Sequence, residues 1–195
     1  MFFEFLGAPG WSKLEDGKPD ADGIVRFEPV IVNQRVLRSE PFTPQQELAE
    51  VAANSCVVVT GTTVKRYSAA NAGHTVLYSD WVVKVTKTYK RSPSIRAEPG
   101  DEITVTRTGG DMILGGRRVI YTDPTFPEFL LKDDYVFYLG CDPDSSSFLA
   151  ISGATFDMSG AGPLLLTEPA NSIAMRIFHS YSKADFLAIV AKTAP

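Results

Sequence analysis

Residues 56–65 read CVVVTGTTVK, the most informative stretch of the chain for its fold. Its β-branched residues favour an extended strand, because branched side chains pack well on a pleated surface. Gly61 interrupts the run at its middle. A glycine inside such a strand is typical of a bulge or sharp bend, since it lacks the Cβ that would block strong coiling. The stretch therefore predicts the opening strand of a small β-barrel.

Four further strands follow at spacings that suit a barrel. The second spans about residues 75–90, the third residues 102–108, the fourth begins near residue 135, and the fifth spans residues 148–151. Apolar residues at every second position predict which side of each strand faces the core. The residues predicted to face inward are Leu77, Trp81, Val83, Val85, Tyr89, Ile103, Val105, Tyr135, Phe137, Leu139 and Cys141.

The connections are predicted from turn residues. Glycine pairs at residues 109–110 and 115–116 flank a short apolar run, which favours a hairpin excursion between the third and fourth strands. Residues 24–27 and 29–37 suggest an extended strand that docks on an edge of the main sheet. The rest of residues 1–42 is expected to be irregular, and residues 153–167 are expected to form a loop.

Two helix starts carry clear capping signals. Thr43 precedes Pro44 and is followed three residues later by Gln46, the pattern of a capping box, so a helix is expected up to about Asn54. A last helix is predicted to begin at Ser182, with Asp185 completing its capping box. The apolar residues of the two helices recur at helical spacing, namely Leu48, Val51 and Ala52 in the first and Phe186, Ile189 and Val190 in the second.

The pattern resembles the OB-fold and, more narrowly, bacterial domains similar to the inhibitory domain of tissue metalloproteinase inhibitors and to netrin-like modules. The likeness rests on CVVVTGTTV, TVLYSDWVVKVTKTYK, PGDEITVTRTGG and DDYVFYLG, within residues 41–157. It implies a mainly β chain with a five-stranded, closed or partly open OB-like barrel, an N-terminal flanking helix and a C-terminal helix. The expected segments are an arm over residues 1–42, a barrel domain with its leading helix over residues 43–157, and a loop and helix packed on the barrel over residues 158–195.

The two cysteines are predicted to be neighbours at the barrel seam. In an OB barrel the first and fourth strands pair antiparallel, and Cys56 begins the first while Cys141 ends the fourth. Opposed residues of such a pair lie close enough for a disulfide, although two reduced cysteines packed as small apolar residues fit the sequence equally well. The netrin-like set of cysteines is absent. Metalloproteinase inhibitors of that kind place an amino-terminal cysteine on the target zinc, so that mechanism does not transfer to this chain.

Composition and charge exclude some functions and leave others open. The apolar runs are far shorter than a membrane span requires, and the first residues carry no secretory signal, as is also true of an exported protein whose leader has been removed. The net charge is −4, yet residues 61–120 carry ten Lys or Arg against five Asp or Glu. Six of these cations form either a positive face for an anionic partner or a solvated surface balanced by acidic neighbours. They are Lys84, Lys87, Lys90, Arg91, Arg96 and Arg107.

We expect a non-enzymatic binding module of an exported bacterial protein, with a protein or glycan ligand and with no cofactor and no metal. The candidate contact residues carry basic or aromatic groups near predicted loops: Arg66, Tyr67, His74, Arg117, Arg118 and Tyr121. A first alternative is a protein that binds single-stranded nucleic acid through Tyr78, Trp81 and Tyr89. A second is a hydrolase that uses His74 or His179 as its base.

Overall fold

The computed structural model describes residues 13–27, 43–123, 126–141, 146–166 and 175–194. The chain divides into two compact units. The smaller comprises Met1–Val30, Ser68–Ser79 and Thr108–Asp123, and the larger comprises Ile31–Tyr67, Asp80–Arg107 and Pro124–Pro195.

The described chain is mainly β, as predicted. Its helices are α1 (Pro44–Asn54) and α2 (Lys183–Thr193), and short 3-10 turns lie at Leu14–Asp16 and Met175–Ser180. Its strands are β1 (Val25–Phe27), β2 (Val57–Ala70), β3 (Leu77–Arg91), β4 (Glu102–Thr108), β5 (Gly110–Leu114), β6 (Arg117–Tyr121), β7 (Asp134–Cys141), β8 (Phe148–Asp157) and β9 (Leu164–Leu165).

One sheet has the strand order β4-β3-β2-β7-β8-β9, with an additional pairing of β4 with β8. β2 and β7 pair antiparallel from Val57 opposite Leu139 to Thr62 opposite Asp134. The predicted antiparallel pairing of the first and fourth strands is therefore confirmed. The pairing of β4 with β8 is parallel and covers Val105 and Thr106 of β4.

Gly61 is required by a close approach of two strands. A Cβ built on Gly61 would lie 2.5 Å from Val83 Cγ1 and 2.9 Å from the Lys84 carbonyl oxygen. These distances are shorter than side chains tolerate, so only glycine fits between β2 and this part of β3 without displacing the neighbouring strand.

Two apolar clusters form the core of the larger unit. In one, the ring of Phe129 contacts four other aromatic rings, those of Trp81, Phe126, Tyr135 and Phe137, at centroid distances of 5.2–5.6 Å. In the other, Phe156 packs against Phe178 and Phe186 together with the buried faces of α1 and α2. Together they bury many large side chains, which is the main source of folding free energy in a domain of this size.

Both predicted helix starts are confirmed. Thr43 Oγ1 accepts a hydrogen bond from Gln46 N, and Gln46 Oε1 accepts one from Thr43 N, which completes the capping box of α1. Ser182 Oγ likewise accepts from Asp185 N at the start of α2. The predicted apolar faces also hold, since Leu48, Ala52, Phe186 and Val190 are all buried.

The fifth predicted strand is longer than expected. β8 continues to Asp157, and β9 lies within the stretch that was expected to be a loop. The register of β8 on β7 shifts between Phe137 and Leu139, and Gly153 has φ = 78° within this interruption. The loop prediction was wrong there because Gly153 marks a bulge inside the strand and does not end it.

The smaller unit contains a second sheet in the order β1-β6-β5. β5 and β6 pair antiparallel, which confirms the predicted hairpin, and β1 pairs parallel with β6 from Val25 opposite Val119 to Phe27 opposite Tyr121. The prediction that residues 24–27 dock on the main sheet is therefore wrong, because β1 joins the small sheet. Residues 29–37 lie outside the described residues. The core of this unit consists of Leu14, Val25, Leu77, Leu114, Val119 and Tyr121.

Candidate functional site

A surface groove of about 930 Å³ lies beside the two cysteines of the larger unit. We call it the disulfide groove. Its walls come from the β3–β4 connection, the start of β4, and the residues that lead into β8. The residues that line it are Cys56, Ser92, Ser94, Ile95, Arg96, Asp101, Glu102, Ile103, Thr104, Cys141, Ser146, Ser147 and Phe148. The site therefore combines hydroxyl groups and charges with a few apolar side chains.

The cysteine sulfurs lie 2.04 Å apart, which is disulfide distance, and the two Cα atoms are 5.9 Å apart. This confirms the predicted proximity of Cys56 and Cys141 at the ends of paired strands. Cys141 is exposed and Cys56 is half-buried. Because the Cys56 backbone N also donates to the Leu139 carbonyl oxygen, the cystine is fixed at the end of the β2–β7 ladder.

Asp101 shapes the β3–β4 wall of the disulfide groove. Its carboxylate accepts a hydrogen bond from Glu98 N at 2.9 Å and from the Arg96 guanidinium at 3.1 Å. Both bonds lower the pKa of Asp101, and the bond from the Glu98 backbone has the larger effect. The connection is also tied to the cystine, since Ser92 N donates to the Cys56 carbonyl oxygen. This wall is thus a hydrogen-bonded turn that is attached to the backbone of Cys56.

Arg66 and Tyr67, two of the predicted contact residues, differ in accessibility. Arg66 lies 2.7 Å from Glu128 Oε1, and its guanidinium carbon is 5.6 Å from the centre of the Trp81 ring. The Tyr67 side chain is 56% exposed. Tyr67 therefore offers contact area, whereas Arg66 is engaged within the unit.

Arg107, which was predicted to belong to a positive face, is a second arginine beside Glu128. Arg107 is buried, its guanidinium lies over the Phe126 ring at 5.1 Å, and it donates to the Phe126 carbonyl oxygen. Arg107 Nη1 is 4.0 Å from Glu128 Oε1, so two guanidinium groups surround one carboxylate. Arg107 is consequently not part of an exposed positive face. Only the alternation of β4, which places Arg107 in phase with the buried Ile103 and Val105, signals its burial.

Other cations of the predicted positive face also have partners. Lys90 Nζ donates to the carbonyl oxygens of Ala52 and Ala53 at the end of α1, where a cation offsets the negative end of the helix dipole. Arg91 lies 2.6 Å from Glu98, and Arg96 pairs with Asp101. Lys84 remains exposed. The ion pairs of Arg91 and Arg96 match the alternative in which acidic neighbours balance the basic residues.

In the smaller unit, His74 and Arg117 meet at Glu15. His74 Nδ1 lies 2.9 Å from Glu15 Oε1, and Arg117 Nη1 donates to the Glu15 carbonyl oxygen at 3.2 Å. The hydrogen bond with His74 is the main cause that lowers the pKa of Glu15. We call these three residues the Glu15 clamp. The sequence indicated His74 and Arg117 but not Glu15, which lies 59 residues before His74.

The remaining two predicted contact residues are held within the small sheet. Arg118 pairs with Asp111 across the β5–β6 hairpin at 2.8 Å. Tyr121 is only 3% exposed and belongs to the core of the smaller unit, where burial raises its pKa to about 12. The predicted exposed aromatic at this position is therefore a core side chain.

His179 has a structural partner. Its Nε2 accepts a hydrogen bond from Leu165 N at 3.0 Å. A nitrogen that accepts this bond has its lone pair engaged, so the ring caps the backbone of the short strand β9. This contact weakens the hypothesis that His179 acts as a base.

No family model and no curated protein matches the chain. Within the part of the chain that the structure describes, no group of three or more His, Cys, Asp or Glu side chains is arranged to hold a metal ion. Neither of the two described helices is long and apolar enough to cross a bilayer.

Proposed function

We propose that the chain is a non-enzymatic binding module and that the disulfide groove is its ligand site. The groove itself carries the proposal. It is an open cavity of about 930 Å³ in which hydroxyl groups and charges surround Ile95, Ile103 and Phe148. A concave surface that joins apolar contact area to a few placed polar groups is the usual form of a ligand site.

We further propose that the larger unit is an OB-like barrel of the kind found in netrin-like and metalloproteinase-inhibitor modules. The strand order supports this reading. β4, β3, β2, β7 and β8 are consecutive neighbours, and β8 pairs again with β4. This strand order, together with the pairing of β4 and β8, is the one expected of an OB barrel.

The cystine supports an exported, periplasmic or secreted location in a bacterium. Disulfides form and persist in oxidising compartments and are rare where thiols are kept reduced. Intact-mass measurement of the native protein with and without reductant tests this point. A mass that rises on reduction supports export, and two free thiols in protein purified without reductant would count against it.

The binding proposal is tested with peptide and glycan arrays. We expect the wild-type protein to bind at least one class of array, and Ser94→Trp to lose that binding because the large ring fills the groove. Ala184→Trp is the matched control, since Ala184 is an exposed residue on α2 outside the groove lining. If Ser94→Trp leaves binding unchanged, the groove is not the ligand site. The other candidate contact residues would then be tested with variants of Arg66, Tyr67, His74, Arg117 and Arg118.

A hydrolase that uses His74 is the second candidate, and one observation favours it. Glu15 Oε1 lies 2.9 Å from His74 Nδ1. A carboxylate in this position orients the imidazole and stabilises the charge that forms when Nε2 takes up a proton, as in acid–base sites. A screen with ester, amide and phosphate-ester substrates tests this candidate. Activity that disappears in His74→Gln and falls in Glu15→Gln would support the hydrolase over the binding module.

Single-stranded nucleic-acid binding is supported less well. Trp81 is buried and Tyr89 is half-buried, whereas stacking on bases requires exposed rings. A fluorescence titration with oligonucleotides at two salt concentrations tests it. Binding that weakens steeply with salt would revive this hypothesis.

A further inference from the structure

Two arginines of the larger unit meet at the same carboxylate oxygen. Arg66 Nη2 lies 2.7 Å from Glu128 Oε1, and Arg107 Nη1 lies 4.0 Å from it. The second distance is longer than a hydrogen bond, so Glu128 contacts Arg66 directly and acts on Arg107 through its charge alone. We call these three residues the Glu128 site. None of them lines the disulfide groove, so the Glu128 site is a separate place on the molecule.

Arg107 carries its charge in a buried position. Its guanidinium lies over the rings of Phe126 and Phe129, at 5.1 and 5.9 Å from the ring centres, and it donates to the Phe126 carbonyl oxygen. Aromatic faces and a carbonyl oxygen offer only partial negative charge. Because a buried position is screened little by water, a full negative charge close to Arg107 interacts with it more strongly than with an exposed cation.

Trp81 adds a further donor beside the arginines. The centre of its ring lies 5.6 Å from the guanidinium carbon of Arg66 and 5.5 Å from the centre of the Phe129 ring. Trp81 is buried, and its Nε1 has no hydrogen-bond partner among the described residues. A buried indole N–H usually has an acceptor. The Glu128 site is thus bordered by a donor that the carboxylate of Glu128 does not engage.

Glu128 is held in a way that lets its carboxylate leave. Phe126 and Phe129 are buried on either side of it, so they fix the backbone of this loop. The Glu128 side chain itself is 42% exposed. A carboxylate that rotates from this position into solvent regains water, so the loss of its ion pair costs little. Glu128 therefore fills the site as a tethered group that another carboxylate can replace.

We propose that Arg66 and Arg107 form a binding site for a carboxylate group of a ligand and that Glu128 occupies this site as an internal competitor. The inference is independent of the function proposed for the disulfide groove. The ligand class follows from the present occupant, because Arg66 already holds a carboxylate and a guanidinium fork matches the two oxygens of such a group. A ligand binds only molecules whose site is open, so the competitor lowers the apparent affinity.

Glu128→Gln tests the proposal with acetate as the probe, at constant ionic strength balanced by chloride. The substitution removes the competing charge and keeps the shape of the side chain. We expect the variant to bind acetate at least about tenfold more tightly than wild type. Thermal unfolding measures this, since a ligand that binds the folded state raises the melting temperature. Glu128→Asp, whose carboxylate is one methylene further back, is a second variant and should show an intermediate gain.

Glu98→Gln is the matched control. Glu98 forms an exposed ion pair with Arg91 at 2.6 Å, so its removal also releases an arginine, but one that is open to water. Exposed arginines attract a single carboxylate weakly. We therefore expect acetate to raise the melting temperature of Glu98→Gln no more than that of wild type.

The fluorescence of Trp81 locates the bound acetate. The chain has two tryptophans, so Trp11→Phe leaves Trp81 as the only indole. Combined with Glu128→Gln, this background should show a saturable change in emission as acetate is added. Addition of Arg66→Gln should abolish both the change in emission and the rise in melting temperature.

Three outcomes would overturn the proposal. An equal response of wild type, Glu128→Gln and Glu98→Gln would show that acetate acts on the protein generally. A response that persists in Arg66→Gln would place the acetate elsewhere. A response to inorganic phosphate without one to acetate would reject the carboxylate class. None of these outcomes bears on the disulfide groove, which Ser94→Trp tests separately.

Discussion

The two units of this protein are stabilised in different ways. The larger has two aromatic clusters and a cystine that joins the ends of β2 and β7. The smaller has a small apolar core, which comprises six buried side chains among the described residues, and its 3-10 turn is held by the polar contacts of the Glu15 clamp.

The two units should therefore respond to different perturbations. Burial of large apolar side chains contributes free energy that depends little on pH, whereas a carboxylate bonded to an imidazole contributes only while it is ionised. We therefore expect core substitutions and reduction of the disulfide to lower the stability of the larger unit. Acid should destabilise the smaller unit first.

Phe129→Ala should have the largest effect. Phe129 is 1% exposed and contacts four aromatic rings, so truncation leaves a cavity and should lower the free energy of unfolding by about 3–5 kcal/mol. Urea unfolding followed by circular dichroism measures the change. Tyr67→Ala, at an exposed site of the same unit, is the control and should change it by less than about 0.5 kcal/mol. Similar losses in the two variants would contradict the assigned core.

Removal of the disulfide should rank next. The cystine joins residues 85 apart in sequence, and a crosslink over a loop of this length typically contributes about 2–4 kcal/mol by restricting the unfolded chain. The double variant Cys56→Ala with Cys141→Ala should unfold at lower urea than oxidised wild type. Reduced wild type should resemble the double variant, and a reduced protein as stable as the oxidised one would refute the crosslink.

Gly61→Ala should have a smaller effect and tests the close approach of β2 and β3. The added methyl would lie 2.5 Å from Val83 Cγ1 and 2.9 Å from a backbone oxygen, and overpacking of this kind costs about 1–3 kcal/mol. In Gly140→Ala the nearest atom would be 3.7 Å away, which is an ordinary contact. Urea unfolding should separate the two variants, and an equal response would mean that β2 and β3 do not approach as described.

The acid response of the smaller unit should be the smallest and most local effect. The pKa of Glu15 is lowered from 4.5 in the folded protein, chiefly by its bond with His74. The contribution of this bond is therefore present above pH 4.5 and is lost as the pH falls through the lower folded value. The protection factor of the Leu14 amide, which is its exchange relative to the intrinsic rate at the same pH, should fall over that range, because the Leu14 N–H donates to the His74 carbonyl oxygen.

Glu15→Gln provides the control for the acid response. The side chain at this position cannot ionise in the variant, so the protection factor of the Leu14 amide should be lower than in wild type at neutral pH and should stay constant between neutrality and acid. An unchanged wild-type profile in Glu15→Gln would show that another group controls the turn at Leu14–Asp16.

Local chemistry was enough to predict the helices and most strands. The capping residues Thr43 and Ser182 define helix starts through bonds made within four residues, and the alternation of β3 and β4 reflects burial on one face. The proximity of Cys56 and Cys141 followed once the order of the strands was inferred. In each case the deciding interaction is local or repeats along one strand.

The parts that the sequence did not predict depend on contacts between distant segments. Glu15 and His74 meet across 59 residues, and no pattern near either residue indicates the other. Gly153 looked like the end of a strand because a bulge and a loop share the same residue preference. The disulfide groove consists of three separated segments, so its walls could be recognised only after the fold was known.

Hydrogen exchange with mass spectrometry can show whether the disulfide groove is the binding site. Oxidised protein is compared alone and with its tightest array-selected peptide or glycan. We expect slower exchange in residues 92–104 and 141–148, with no change around Glu15, His74 and Arg117. Protection confined to the Glu15 clamp, with none along the groove, would exclude the groove as the binding site.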